Sequence, residues 1–553
     1  QPGLNEDLAA TALWGSQQAE LRGEGRYDGV FGLWYGKGPG VDRSGDVFRH
    51  ANMAGTSKHG GVLVAMGDDH TGESSTVCHQ SDWALIDAHI PVLNPAGVQE
   101  ILDYGLYGYA MSRFAGVWVG VKTMKDTVEA TSVVDGRPDR MQFVTPQFDM
   151  PEGGLNIRLG DHWIPQEERL LEYKRFAAEA FSHANGIDKR VHGKPGAKIG
   201  LVAAGKNWLD LVSALDTLGI DADEAERLGI TTYKVGQTWP LDMKGFHDWA
   251  EGLDLIVVVE EKRKLIEVQV KEAIFDDRRG RRVCGYKDGA GNILFPSHFA
   301  LDPADIALKL GRILGDEGRA TDRIRAGMAR VEEARRANNA PDLAQRTPWF
   351  CSGCPHNTST RVPEDARAGA GIGCHFMAKW MDRNTEAFTH MGGEGANWIG
   401  EAPFSTRDHV FQNLGEGTYN HSGILAIRAA VAAGTNITYK ILFNDAVAMT
   451  GGQSNEGELD PARIAHEIKA MGVKHIALIH DPKEEIDFSA FPPGLERHDR
   501  DQLMPVQERF QKIPGVSAII YVQTCAAEKR RRRKRGKFPD PDKRVFINTD
   551  VCE

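Results

Sequence analysis

The sequence predicts an α/β protein built from several parallel-sheet domains, on three observations. Between Lys198 and Phe275, apolar runs of strand length alternate with helical stretches, as in parallel strands joined by right-handed crossovers. Apolar runs at 409–414, 437–443, 475–480 and 517–523 repeat that style in the last third of the chain. Glycine is abundant, 61 of 553 residues, which is about 11% against a usual ~7%. That abundance suits tight strand-to-helix turns.

Taken in order, residues 1–122 combine apolar runs at 29–34, 61–66 and 116–121 with helix-like segments. Gly36–Asp46 holds so many breakers that it reads as a loop, and it lacks the Gly-Lys-Ser/Thr ending of a phosphate loop. Residues 123–194 read as an irregular linker. The spacing then predicts strands at 198–203, 230–235 and 254–260, with helices at 208–218, 243–252 and 265–275 between and after them. Residues 306–337 read as one or two charged surface helices. The expected domains are 1–122, 195–315 and 345–553, with a helical connector at 316–344.

Composition excludes some functions. With 66 basic against 77 acidic residues the net charge is −11, which argues against nonspecific nucleic-acid binding by the whole chain. The strongest apolar run, Leu253–Val259, is far short of the ~18 residues of a membrane span, and no secretory signal is visible. Seven cysteines, an odd number spread thinly, do not form a disulfide framework. The expectation is a cytoplasmic protein without a membrane partner.

Several groups could carry chemistry. Gly415-Glu416-Gly417 closes one apolar run, and Asn444 ends the next, 29 positions after Gly415. Glycines let a backbone approach phosphate oxygens, and a carboxylate plus an amide oxygen are hard ligands suited to Mg²⁺. Cys351-Ser-Gly-Cys354, Cys374 and Cys525 could surround zinc or an iron–sulfur cluster. Equally, Cys374 and Cys525 could be small core residues and the CxxC pair incidental. Asp68, Asp69 and His70 read either as a metal cluster or as a polar strand-end loop. Met391-Gly-Gly-Glu-Gly395 could wrap a diphosphate through backbone N–H groups, although Trp398 breaks the dinucleotide fingerprint. His421 could face a cofactor or cap backbone, and Glu6 by itself reads as a solvated residue.

Six motifs occur in one order: Gly-Leu-Asn-Glu6-Asp, Trp-Tyr-Gly-Lys-Gly-Pro-Gly-Val-Asp, Met-Gly-Asp-Asp-His, Cys-Ser-Gly-Cys-Pro-His, Gly-Ile-Gly-Cys-His and Asn-Asp-Ala-Val-Ala-Met-Thr-Gly-Gly-Gln. Together they resemble the 2-oxoacid:ferredoxin oxidoreductases, and most of all the indolepyruvate ferredoxin oxidoreductase family in its long, fused bacterial form. In that form a pyrimidine-domain segment would precede Gln1. A ferredoxin-like cysteine region, with Cys552 as its first cluster ligand, and a further domain would follow Glu553. The resemblance implies a pyrimidine-binding domain at 1–122, a transketolase-C-terminal-like domain at 195–315 and a pyrophosphate-binding domain at 345–553.

The resemblance further implies thiamine diphosphate, Mg²⁺ and a 4Fe–4S cluster, with coenzyme A as co-substrate. Glu6 resembles the glutamate that hydrogen-bonds the aminopyrimidine, and His421 is a second catalytic candidate. Glu416, Asn444 and the Ala446 carbonyl resemble the Mg²⁺ ligands, and Cys351, Cys354, Cys374 and Cys525 the cluster ligands. Gly373, Cys374, His375, Gly393, Gly395, Gly415, Glu416, Gly417, Asn444, Ala446, Met449 and Thr450 are the implied cofactor contacts. Glu416 stands where the thiamine motif usually has Asp, so weakened Mg²⁺ binding is expected, and Glu416→Asp is expected to tighten it. The implied reaction is oxidative decarboxylation of a 2-oxo acid, such as an arylpyruvate, with ferredoxin as acceptor, in a homo-oligomer, a dimer.

Two rivals remain at this level: a non-oxidative thiamine decarboxylase or carboligase, and a non-catalytic scaffold or RNA-binding protein acting through the basic run Lys529–Arg535. In a chain this acidic the basic run reads as a local surface feature, docking ferredoxin or a phosphate of coenzyme A.

Overall fold

Strands covered on both faces read as mainly apolar runs, and Ile199–Ala204, Ile230–Val235 and Leu255–Val259 are buried at every position, Thr231, Thr232 and Lys234 included. The computed structural model describes residues 3–137, 139–338, 346–540, 543 and 545–551; Cys552 lies outside them. They fall into two units, one of residues 6–341 and one of residues 1–5 with 342–553.

Among the described residues the first unit holds ten strands: β1 (Phe31–Lys37), β2 (Gly61–Asp68), β3 (Val92–Leu93), β4 (Trp118–Met124) and β5 (Lys189–Arg190). These are followed by β6 (Ile199–Ala204), β7 (Ile230–Val235), β8 (Gln237–Trp239), β9 (Leu255–Val259) and β10 (Arg282–Cys284). They form two five-stranded sheets, ordered β1-β2-β4-β3-β8 and β10-β9-β6-β7-β5. Both are parallel except for the edge strands β8 and β5. Only Gly236 separates β7 from β8, so the chain passes from one sheet to the other there. The Asp188 carboxylate accepts the N–H groups of Gly236 and Gln237 at 2.7 and 2.9 Å and fixes that crossing.

Each sheet of this unit has helices on both faces. Leu63, Val119 and Val121 pack against Tyr107 and Met111 of helix Val98–Ala115, while Val62, Val64 and Met66 face Phe48 and Ala51 of helix Gly45–Ala54. In the second sheet Leu201 and Val257 meet Leu211 and Ile306, and Val202 and Val258 meet Phe246 and Trp249.

Two expectations fail here. Gly36–Asp46 is not a loop: β1 runs to Lys37, and helices Gly38–Arg43 and Gly45–Ala54 follow. Pro39 sits in the first helical turn, where its fixed φ is favourable. Packing overrides glycine's low propensity, since a Cβ on Gly38 would lie 2.2 Å from His79 Cγ and one on Gly40 2.7 Å from Glu6 Cγ. Nor is 123–194 all irregular. Trp163–Asn185 is helical throughout, with a π-helical turn at Leu170–Lys174, and Ala177, Ala178 and Phe181 enter the core of the first sheet. Small alanines gave that core face little apolar signal.

At the carboxyl ends of these strands the polar side chains form a buried network. Asp68 accepts the Ser81 N–H and hydroxyl, His70 Nδ1 lies 2.5 Å from Glu261, and Lys122 lies 2.6 Å from Asp82. Asp69 instead takes the N–H groups of Glu73, Ser74 and Ser75. His70 Nε2 also lies 3.7 Å from Asp68 Oδ2, Asp69 serves its own turn, and among the described residues no three such side chains converge on an ion.

The described residues of the second unit form one seven-stranded sheet of β11 (Ala368–Ala370), β12 (Thr385–Phe388), β13 (Val410–Gly415), β14 (Ile437–Phe443), β15 (His475–His480), β16 (Glu496–Asp499) and β17 (Val516–Val522). All neighbours are parallel, in the order β12-β11-β13-β14-β17-β15-β16. Leu414, Tyr439 and Ile441 pack on one face with Ile427 and Ile464, and Leu442, Ile519 and Tyr521 pack on the other with Phe510. The chain runs outward from β11 to β12 and then returns to β13 on the opposite side. That reversal between β11 and β13 opens a crevice at their carboxyl ends, where sheets of this kind hold ligands.

Candidate active site

The site lies at the carboxyl ends of β11, β13 and β14. Register pairs Gly415 of β13 with Leu442 of β14, so the residues just beyond, Glu416 and Asn444, emerge side by side. Glu416 is 2% exposed, and its Oε1 accepts the backbone N–H of Asn444 at 3.0 Å and of Ala446 at 3.2 Å. Burial pushes its carboxyl up to about 7, opposed by the Asn444 and Ala446 N–H groups.

The Asn444 amide oxygen, as oriented, faces oxygens alone: Glu416 Oε1 at 3.3 Å and the Ala446 carbonyl at 2.9 Å. Turning the amide over would make it donate to both. A cation among the three oxygens relieves the same repulsion with the oxygen inward. Mg²⁺ bonds of about 2.0–2.1 Å in an octahedron set neighbouring ligand oxygens about 2.9 Å apart, so the donor set fits such an ion. One carboxylate, one amide and one carbonyl thus meet where the motif spacing placed them.

The adjoining glycine loops are tightly built. Gly392 and Gly395 have φ of +92° and +85°, and a Cβ at either would fall 2.0 Å from Ser422 Oγ or 2.5 Å from the Tyr439 hydroxyl. Glu394, fully buried, accepts the Gly392 N–H at 2.7 Å and the Ile372 N–H at 3.4 Å, joining two loops of the crevice. Burial raises its carboxyl above the usual range. Sequence reading passed over Glu394; its place inside a glycine run was the available signal. Gly393 belongs to the same turn, its N–H bonded to the His390 carbonyl.

His375 turns inward. It is 2% exposed and seated where a Cβ on Gly371, Gly373 or Gly415 would come within 2.6, 2.6 or 3.2 Å of its ring. The ring lies 5.5 Å from that of His356, and burial, with His356 and Lys440 near, holds it down to about 3. His421 lies in the π-helical turn Tyr419–Gly423. Its Nδ1 is 2.6 Å from Ser422 Oγ, and its carbonyl accepts the Asn5 amide at 3.1 Å. Gly417 has open surroundings: a Cβ there would meet Val447 alone, at 3.5 Å. Met449 and Thr450 are exposed on the loop after Asn444, with the Thr450 hydroxyl 2.8 Å from Gln453 Oε1. Glu6, in the first unit, opens helix Glu6–Ser16, its stem against Gly40 and its carbonyl accepting from Trp34 Nε1 at 3.0 Å.

The four described cysteines of this unit, Cys351, Cys354, Cys374 and Cys525, are free thiols beside the same loops. Cys525 follows β17, and its N–H donates to the Asn444 carbonyl at 2.9 Å. Burial pushes the Cys354 thiol up to about 12, with Cys525, Cys374 and Cys351 adding to the shift. Cys374 is raised by burial, then by Cys525 and Cys351, with Glu416 also acting on it. Each thiolate in such a group disfavours the next unless a cationic centre binds them. Among the described residues no three His, Cys, Asp or Glu side chains converge on a single-ion site. A four-iron cube spreads its ligands over four corners, and a wider group of thiols suits it.

Largely parallel sheets with helices on both faces give the chain an α/β fold, and the second unit sets the Glu416, Asn444 and Ala446 groups beside glycine loops. Residues 189–338 match the indolepyruvate oxidoreductase domain. The chain is 25% identical over 550 residues to the indolepyruvate oxidoreductase subunit IorA of Pyrococcus abyssi, covering 93% of this chain and 77% of that protein. It is 23% identical over 464 residues to the same subunit of Methanothermobacter marburgensis, covering 81% and 69%. Over these stretches the chain is similar to the indolepyruvate oxidoreductases. A 2-oxoglutarate:ferredoxin oxidoreductase from Magnetococcus marinus aligns over 56% of each chain at 14% identity with a TM-score of 0.36, too slight a likeness to carry argument.

Proposed function

We propose that this chain oxidatively decarboxylates a 2-oxo acid, an arylpyruvate such as indolepyruvate, to its acyl-CoA and passes the electrons through iron–sulfur centres to ferredoxin. The observation that carries the reading is the convergence of the Glu416 carboxyl, the Asn444 amide group and the Ala446 carbonyl, with Cys525 hydrogen-bonded to the back of Asn444. Glu416, the Asn444 amide and the Ala446 carbonyl would hold Mg²⁺ against the diphosphate, and Cys351, Cys354, Cys374 and Cys525 would hold a 4Fe–4S cluster. Thiamine diphosphate, when bound, supplies the carbanion chemistry at the keto carbon.

The chain's own residues position and exclude. Glu394 holds the loops at 371–373 and 391–395 together, which shapes the wall around Gly373, Gly393, Gly395 and Gly415. Glu6 would offer its carboxyl to the aminopyrimidine and so place a proton. The adjacency of the thiols to Asn444 favours electron removal over simple protonation, and this separates the proposal from a non-oxidative decarboxylase. Domains at 1–122, 195–315 and 345–553 are proposed as pyrimidine-type, transketolase-C-terminal-like and pyrophosphate-type, in a cytoplasmic homodimer. Among the described residues no helix is long and apolar enough to cross a membrane.

The test is anaerobic reduction of a viologen dye by the purified protein with Mg²⁺, thiamine diphosphate, coenzyme A and an arylpyruvate. Coenzyme A-dependent reduction is expected. Decarboxylation to an aldehyde without reduction would favour the non-oxidative rival, and no turnover by the complete chain would refute the assignment.

A further inference from the structure

The basic run 529–535 has no part in the chemistry above. It lies in the helix Ala526–Lys534, which starts one residue after Cys525, and its first four cations are bonded along the surface to neighbouring segments of their own unit. Lys529 Nζ lies 2.9 Å from Glu484, itself bonded to the Thr524 N–H and hydroxyl. Arg530 donates to the Ser352 carbonyl at 3.1 Å, inside the Cys351–Cys354 turn. Arg531 reaches the Gly451 carbonyl. A Cβ on Gly452, whose φ is +82°, would lie 2.1 Å from that guanidinium. Arg532 Nη2 lies 2.7 Å from Asp445 Oδ2, while its Nε meets Glu528 at 3.3 Å.

Four consecutive residues of a helix point round most of its circumference, at ~100° each. Here they fan out to three separate segments: the end of β15, the CxxC turn and the 445–452 loop. Asp445 has φ +58° and sits between Asn444 and Ala446, two of the three oxygens that would hold Mg²⁺. Its side chain is turned to Arg532. A run that would otherwise read as a docking patch has thus spent Lys529 through Arg532 on partners within its own unit; Lys534 and Arg535 are exposed cations at its far end.

We propose that this helix braces the cofactor loops, with Arg532 the positioning residue that holds Asp445 and thereby sets Asn444 and Ala446 for the metal, and Arg530 holding the cysteine turn from the same support. The inference rests on the reading of Glu416, Asn444 and Ala446 as the Mg²⁺–diphosphate site. Arg532 touches no reacting atom. It acts by fixing a loop whose turn residue, Asp445, has a left-handed backbone.

The experiment uses the complete chain and follows Mg²⁺-dependent thiamine diphosphate binding by tryptophan fluorescence in wild type, Arg532→Gln, Arg532→Lys, Asp445→Asn, the Arg532→Gln/Asp445→Asn double variant and a Lys534→Gln/Arg535→Gln control. An ion pair of this exposure predicts a roughly two- to fivefold weakening in Arg532→Gln, with a matching rise in the Mg²⁺ needed for half-saturation. Arg532→Lys should recover part of it, and in the Asp445→Asn background Arg532→Gln should add nothing. The control should bind as wild type. Unchanged binding in Arg532→Gln, an equal loss in the Asp445→Asn background, or an equal loss in the control would overturn the brace alone. A wild-type chain that binds no thiamine diphosphate at millimolar Mg²⁺ would overturn the functional reading and the brace with it.

Discussion

Replacing Glu416 by Asp withdraws the carboxylate by about one carbon–carbon bond, roughly 1.5 Å. Glu416 Oε1 now lies 3.0 Å from the Asn444 nitrogen and 3.2 Å from that of Ala446, so the shortened side chain would leave one or both beyond about 4 Å, outside hydrogen-bonding range. The backbone has little freedom to follow, because Gly415 is locked opposite Leu442 in the β13–β14 pairing. A hydrogen bond to a charged acceptor contributes about 1.5–3 kcal/mol. Losing one at the metal site should weaken Mg²⁺–thiamine diphosphate binding roughly ten- to hundredfold, since 1.4 kcal/mol is a factor of ten. Titrating cofactor into the protein at fixed millimolar Mg²⁺, with tryptophan fluorescence as the signal, measures it. The motif alone led to the opposite expectation, that Asp would tighten binding. In this fold the extra methylene spans the gap from β13 to the loop after β14. Equal or tighter binding by Glu416→Asp would refute that geometry.

Three more outcomes are expected. Lys122→Met leaves Asp82 and Asp68 buried without their cation and should cost about 3–5 kcal/mol in urea unfolding; a loss near zero would show that the network is slack. Asp188 is pushed by burial up to about 7 against an unfolded value near 4. The folded state therefore holds a proton that the unfolded state has released, and stability falls as pH rises through that window. Asp188→Asn should shrink the drop in melting temperature between pH 5 and pH 8, and an unchanged drop would discount the group. Cys525→Ser removes one thiol but keeps the N–H bonded to Asn444. Iron content and visible absorbance after anaerobic purification should fall while thiamine diphosphate binding persists, and unaltered iron would exclude Cys525 as a ligand.

The long buried strands were legible from the sequence because a strand covered on both faces is rich in apolar and β-branched residues. The runs at 230–235, 437–443 and 475–480 end where β7, β14 and β15 end. The strands β3, β8, β11, β12 and β16, of two to four residues each, carry too few positions for any period to show. The helices at 38–54 were hidden by glycines whose cost is offset by close packing against His79 and Glu6.

The candidate site divides along the same line. Residue types and the separation of Gly415 from Asn444 depend on chain order, so composition and spacing determined that a hard-oxygen pair follows two successive strands, and motif order that four cysteines accompany it. Which atoms face one another was decided by tertiary structure: the β13–β14 register that sets Glu416 against Asn444 and Ala446, the inward turn of His375, the Glu394 bridge and the direction of each cation in 529–532. These depend on through-space distances and burial set by residues as far apart in the chain as Arg532 and Asp445, and no local pattern in a one-dimensional chain encodes them.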